Sequence, residues 1–126
     1  GLLDRGDQVT VLDSFNDAYD PTLKERNLEG LDIALIHGDV RDRASVEEAL
    51  RGVDGVVHLA ALAGVRESLE DPAAYASVNV GGTVNLLEAL RAWSPLLSSM
   101  GRGLDDDPVA FVAAAAAGRH AAGMLA

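Results

Sequence analysis

Asp13, Asp39, Ala60, Ala61, Arg66 and Asn79 are the residues whose types and spacing could do chemistry: the first four stand at or just beyond the ends of apolar segments, Arg66 in a loop and Asn79 one turn into a long helix. Asp13 closes the run Gln8-Val-Thr-Val-Leu. A carboxylate there can accept both hydroxyls of an adenosine ribose and would repel a phosphate placed on that ribose; it equally suits a residue that only starts a loop. Asp39-Val40 follows the run from Asp32 to His37. Here a carboxylate could accept an adenine amino group while the valine covers the ring, or the pair could merely begin a turn. Ala60-Ala61 ends a third run and leaves room for a ligand backbone to pass, although small residues also pack strand ends. Asn79 could donate to a ribose or phosphate oxygen, with a surface asparagine as the plain alternative. Arg66 has the planar fork that holds a phosphate or carboxylate bidentately, unless it is simply solvated. His58 interrupts an apolar strand without a nucleophile beside it and reads as a core residue rather than a catalyst.

Composition removes several classes of function. Ten Lys+Arg against 20 Asp+Glu give a formal net charge of -10, which repels nucleic acid and anionic membrane surfaces. Cysteine is absent, so disulfides, thiolate metal sites and thiol nucleophiles are excluded. The histidines, His37, His58 and His120, are too scattered to suggest a metal site. No apolar run approaches the roughly 20 residues that span a bilayer, and the N-terminus lacks the order of a signal peptide. A soluble, cytoplasmic protein is expected, and at 126 residues a single domain burying ~65% of its unfolded surface.

The elements that must position these residues follow from pattern. Gly1 to Gly6 reads as the last turn of a helix, capped by Gly6, whose beginning lies outside the chain. Strands are expected at Gln8–Asp13, Asp32–His37 and Gly55–Ala60. Between them, Pro21 suits the first position of a helix with Leu23 and Leu28 on its apolar face. Asp42 should cap a second helix with Val46, Ala49 and Leu50 buried and Gly52 as the stop. Asp71-Pro72 opens the longest helix, which should run to about Ala92 and stop at Pro95, with Tyr75, Val78, Gly82, Leu86 and Leu90 on one face. Near-continuous apolar strands alternating with helices predict a doubly wound α/β sheet, parallel and covered on both faces. Beyond Trp93 the sequence changes character: Leu96-Leu97 could form a very short strand, and the alanine-rich stretch from about 108 has helix propensity, with a solvated low-complexity tail as the alternative.

Taken together, Val9-Thr-Val-Leu-Asp13-Ser-Phe-Asn16, Tyr19-Asp-Pro21, Gly38-Asp-Val-Arg-Asp42, His58-Leu-Ala-Ala61, Ala63-Gly-Val-Arg66, Asp71-Pro72, Tyr75 and Asn79-Val-Gly-Gly-Thr83 through Asn85-Leu-Leu-Glu88 resemble the extended short-chain dehydrogenase/reductases. Within that family the resemblance is to NAD-dependent nucleotide-sugar epimerases and dehydratases, closest to UDP-glucuronate 4-epimerase-like members. It implies a partial NAD-binding Rossmann-like domain over residues 1–93 and a divergent or degenerate tail over 94–126. It further implies that Asp13 holds the adenosine ribose, that Asp39 and Val40 flank adenine, and that Leu59, Ala60 and Ala61 line the nicotinamide side. Asn79 would support the cofactor's ribose or phosphate region, and Arg66 would lie near a UDP-sugar.

The departures from that family concern the chemistry itself. The first strand and its Gly-x-x-Gly-x-x-Gly turn, which hold the pyrophosphate, do not precede Gly1. Tyrosine occurs only at Tyr19 and Tyr75 with no lysine four residues later, so the Tyr-x-x-x-Lys pair is absent. Ser98 and Ser99 echo the family's serine-rich strand end only weakly, and in the nearest alignment Ala115 and Arg119 stand where Tyr and Lys belong. The expectation is therefore an incomplete Rossmann-like sheet lacking the first strand and the C-terminal substrate domain, inactive as this chain. The missing strand would leave two unpaired edges facing a gap between the strands at Gln8 and Gly55. Two other readings stand beside it: a noncatalytic nucleotide-binding module, or an interaction fragment, such as a homodimer formed through the 72–92 helix.

Overall fold

In the computed structural model the described residues are 1–16, 20–99 and 110–113. A short 3-10 turn at Leu3–Arg5 ends at Gly6, whose φ of 88° is the left-handed cap that glycine favours. It leads into β1 (Val9–Asp13), α1 (Pro21–Leu28), β2 (Ile33–His37), α2 (Arg43–Ala49) and β3 (Gly55–His58). There follow α3 (Val65–Glu70), α4 (Pro72–Tyr75), a π-helical segment (Ala76–Gly82), α5 (Thr83–Ser99) and β4 (Ala110–Ala113).

The caps expected at Asp42 and Asp71 form as side-chain hydrogen bonds, and Asp20 adds a third. Asp20, Asp42 and Asp71 accept from the backbone N–H groups of Thr22, Ser45 and Ala74 at 3.0, 2.9 and 3.0 Å. Each satisfies a donor that the first helical turn leaves over. On α2 the predicted stripe of Val46, Ala49 and Leu50 is almost completely buried. These residues meet Leu12 of β1, Val40, Val53 and Ala60 from loops, and Val78, Leu86 and Ala89 from the long helical stretch in one core.

The sheet is four-stranded and parallel, in the order β2-β1-β4-β3. The register pairs Val11 with Leu35 on one side and with Val112 on the other, and Val112 in turn with Val57. The edges expected to face a gap are thus occupied: β4 lies between β1 and β3 and hydrogen-bonds to both. Helix was expected from about 108, and at Ala110–Ala113 the structure has a strand instead. The reason is that two facing rows of unpaired backbone groups reward extended chain by more than the small helix preference of alanine.

Three further expectations are corrected. The long helix does not stop before Pro95 but continues to Ser99, taking Leu96 and Leu97 into α5 rather than into a strand. Proline removes one intrahelical hydrogen bond without forbidding the residues after it from staying helical. Cover on the two faces is also unequal. Leu12, Ile36 and Val56 share the core face with α2 and α5, whereas Leu35 and Val57 on the opposite face are 37% and 40% exposed. On α1 the buried residue is Lys24, and Leu23, expected on the apolar face, is exposed.

Candidate nucleotide site

Because all the strands are parallel, Asp13, His37 and His58 finish β1, β2 and β3 at one end of the sheet. A cleft of about 320 Å³ opens there, lined by Ser14, Asn16, Asp39, Val40, Leu62 and Val78 among others. That volume falls in the range of small-ligand pockets. A larger groove lies at the amino ends of β1 and β2, lined by Gln8, Val9, Leu31, Ile33 and Arg51 among others. Ligands of open parallel sheets sit at the carboxyl ends, so the smaller cleft is the candidate.

Asp13 is 8% exposed, and its Oδ1 accepts from the backbone N–H of Phe15 at 2.7 Å and from Lys24 Nζ at 3.1 Å. Lys24 also donates to Asn16 Oδ1 at 3.2 Å, tying the loop to α1. The loop turns sharply enough that Phe15 takes a φ of 46°, a left-handed conformation that a bulky residue adopts only when its surroundings hold it there. Its ring stacks on His37 with centroids 4.3 Å apart and planes 15° from parallel, and Lys24 Nζ lies 5.7 Å from the ring centre. The single lysine of the chain therefore serves the carboxylate that the sequence marked out. Lys24, Phe15 and Asn16 were not among the predicted site residues; the signal that could have found Lys24 is its place in a helix too short of apolar residues to bury anything else.

Asp39 is held differently. Its Oδ1 accepts from the backbone N–H and Nε of Arg41 at 2.8 and 2.9 Å, and its Oδ2 from Nη2 at 2.6 Å. The Arg41 hydrogen bonds hold the Asp39 carboxyl below the usual carboxylate range and push the guanidinium further up. Arg41 lines the same cleft, and its Nη1 reaches Ser77 Oγ at 3.4 Å. Val40 is buried against Gly82, where any Cβ would collide with the valine's Cγ1, and Asn85 Nδ2 donates to the Val40 carbonyl at 2.8 Å. Helical residues thus fix the loop that carries Asp39 and Val40.

The remaining candidates divide. Ala60 is buried, Ala61 half-buried and Leu59 exposed, in the segment leading to the cleft-lining Leu62. Asn79 accepts the Leu62 N–H at 2.7 Å and donates to the Leu62 carbonyl at 3.0 Å. Its amide thus holds the Leu62 backbone and sets the loop after β3. Arg66, expected in a loop, is exposed in the first turn of α3. Ser98 and Ser99 lie in α5, not at a strand end. Ala115 and Arg119 fall outside the described residues.

His58 proves to be part of a relay into the helix. Thr83 Oγ1 donates to the Asn79 carbonyl at 2.6 Å, so at 2.9 Å from His58 Nε2 it must accept the ring N–H. That assigns the Nε2–H tautomer and leaves Nδ1 buried without a partner among the described residues. Burial pulls the His58 pKa down and keeps the ring neutral. Among the described residues no group of three His, Asp or Glu side chains could hold a metal ion.

Comparison with known proteins agrees with this fold. The model of the NAD dependent epimerase/dehydratase family matches residues 1–114. UDP-glucuronate 4-epimerase 3 of Arabidopsis thaliana is 43% identical over 96 residues, covering 72% of this chain and 22% of that protein. A UDP-glucuronate 4-epimerase of Thermodesulfobacterium geofontis is 38% identical over 96 residues, covering 71% of this chain and 30% of the other. Among solved structures, a dTDP-glucose 4,6-dehydratase from Streptomyces venezuelae with NAD and TYD bound superimposes with a TM-score of 0.60 at 33% identity, over 70% of this chain and 30% of that one. A UDP-glucose-4-epimerase from Stenotrophomonas maltophila with bound NAD and formylated UDP-arabinopyranose gives a TM-score of 0.62 at 31% identity, over 71% of this chain and 28% of its own. The chain spans less than a third of the length of these relatives. With a matching family model over most of its length and a Rossmann-like parallel sheet, the chain belongs to the NAD dependent epimerase/dehydratase family.

Proposed function

We propose that residues 1–93 form the adenosine-binding part of an NAD-dependent nucleotide-sugar epimerase of the UDP-glucuronate 4-epimerase type, inactive as this chain. One observation carries the reading: Asp13 and Asp39 stand at or just past the carboxyl ends of the adjacent strands β1 and β2, beside a cleft of about 320 Å³ lined by Val40, Leu62 and Val78. The residues present fit the adenosine end of the cofactor. Asp13 would take the ribose hydroxyls, its charge offset from behind by Lys24. Asp39 Oδ2 keeps one lone pair beyond those Arg41 uses and would accept the adenine amino group. Val40 and Val78 would cover the ring, and the guanidinium of Arg41, held flat by Asp39, offers it a planar cation.

Bound NAD would supply a hydride acceptor for a sugar carbon. Beyond the adenosine contacts, what this chain adds is a passage past Leu59, Ala60 and Ala61 on the nicotinamide side, with Arg66 near the UDP-sugar. The sequence offers no Tyr-x-x-x-Lys pair to move the proton. The net charge of -10 favours partners other than nucleic acid, and no helix among the described residues is long and apolar enough to cross a membrane; we place the protein in the cytoplasm. A second reading, homodimerisation through the 72–92 helix, is favoured by Val80, Val84 and Leu87, which sit exposed at helical spacing.

Calorimetric titration tests the binding reading: saturable heat with NAD and with adenosine monophosphate is expected, and no saturable heat at millimolar NAD would overturn it. Turnover of UDP-glucuronate by this chain would overturn the claim of inactivity.

A further inference from the structure

The strand that completes the sheet carries an inference about where it comes from. The crossover from β2 to β3 passes through α2, and that from β3 to β4 through α5. Both helices pack on the same face: Val46 and Ala49 of α2 and Leu86 and Ala89 of α5 share one core with Leu12. In the order β2-β1-β4-β3, however, the first connection crosses the sheet in one direction and the second returns in the other. Two parallel crossovers over the same face in opposite directions have opposite hands. One of them is therefore left-handed, an arrangement that strand twist makes rare.

A strand donated by another chain makes no crossover within the sheet it joins, and the conflict disappears. The slot itself is indifferent to the source. β4 is held by parallel ladders to β1 and β3, from Val9 and Gly55 opposite Ala110 to Leu12 and His58 opposite Ala113, and every copy presents the same slot and the same strand. Left unfilled, the slot would expose two apolar strand edges, which are templates for pairing with another chain.

We propose that two copies of this chain exchange their β4 strands, each placing Ala110–Ala113 between β1 and β3 of the other. Each sheet is then completed by its partner, as in domain-swapped dimers.

The absence of cysteine allows a direct test. Thr10 and Phe111 are register partners on β1 and β4, within the spacing a disulfide bridges. Thr10→Cys and Phe111→Cys chains are prepared separately, mixed, refolded together and mildly oxidised. The expected product is a T10C–F111C heterodimer of twice the 13.1 kDa chain mass, well above the yield from T22C mixed with F111C, since Thr22 is exposed on α1. A T10C/F111C double variant that closes its disulfide only within the monomer, with no mixed heterodimer above that control, overturns the proposal. So does the failure of either preparation to cross-link. Light scattering on the unmodified chain guards against variants that do not fold: a dimer that dissociates on dilution is expected, and a monomer from micromolar to millimolar concentration overturns the exchange.

Discussion

Lys24 Nζ lies 3.1 Å from Asp13 Oδ1, with the two side chains only 3% and 10% exposed, so the carboxylate at the end of β1 is neutralised from inside the protein. Removing one member of a buried pair strands the other without water, at a typical cost of about 3 kcal/mol or more. Lys24→Met should therefore lower the urea midpoint substantially. The D13N/K24M double variant should lose less than the sum of the two single variants, and additive losses in the cycle would show that the pair is not coupled.

Gly82 and Gly81 offer a paired test of how the helix approaches the cleft. A methyl at Gly82 would run into Val40, while one at Gly81 meets nothing closer than the Ala76 carbonyl at 4.0 Å. Gly82→Ala should cost about 1–3 kcal/mol through overpacking. Gly81→Ala should be neutral or stabilising by up to about 1 kcal/mol through helix propensity. Denaturant melts of the two variants check this, and equal effects would contradict the close Val40 contact.

The neutral His58 links stability to pH with a defined sign. Its folded pKa is below the unfolded value near 6.5, so between the two the unfolded chain binds more protons. Stability should be fully present above about pH 6.5, fall as the pH drops through that window, and level off below the folded pKa. His58→Gln should flatten this part of a urea-midpoint profile against pH. An unchanged slope would remove His58 as its source.

Asn79 holds the backbone of the cleft-lining Leu62 through both ends of its amide. Asn79→Asp keeps the acceptor for the Leu62 N–H but sets a charged oxygen against the Leu62 carbonyl. Nucleotide affinity should fall about tenfold, corresponding to one lost hydrogen bond of about 1.4 kcal/mol. Calorimetry at matched pH reads the change, and unaltered affinity would place the loop's order elsewhere.

Much of this arrangement was legible in local pattern. β1, β2 and α2 follow from apolar runs and caps such as Asp42 because those signals act between residues close in sequence. β4 was not legible: Ala-Phe-Val-Ala carries little strand signal of its own, and its partners, Val9 to Leu12 and Gly55 to His58, are far away in the chain. The site divides along the same line. Asp13 and Asp39 were legible as carboxylates following strands, whereas the pairing of Lys24 with Asp13 arises only when α1 folds back over β1. Asn79 was expected beside the cleft, but its engagement with Leu62 depends on how the π-helical segment meets the loop after β3.

The central claim is that the adenosine end of a nucleotide sits between Asp13 and Asp39, and backbone amide NMR during titration with NAD tests it most directly. The account predicts saturable shifts centred on Ser14, Asn16, Asp39, Val40 and Leu62, weakened in Asp13→Asn. Absence of saturable shifts, or shifts centred instead on Leu31, Ile33 and Arg51 at the opposite end of the strands, would contradict it.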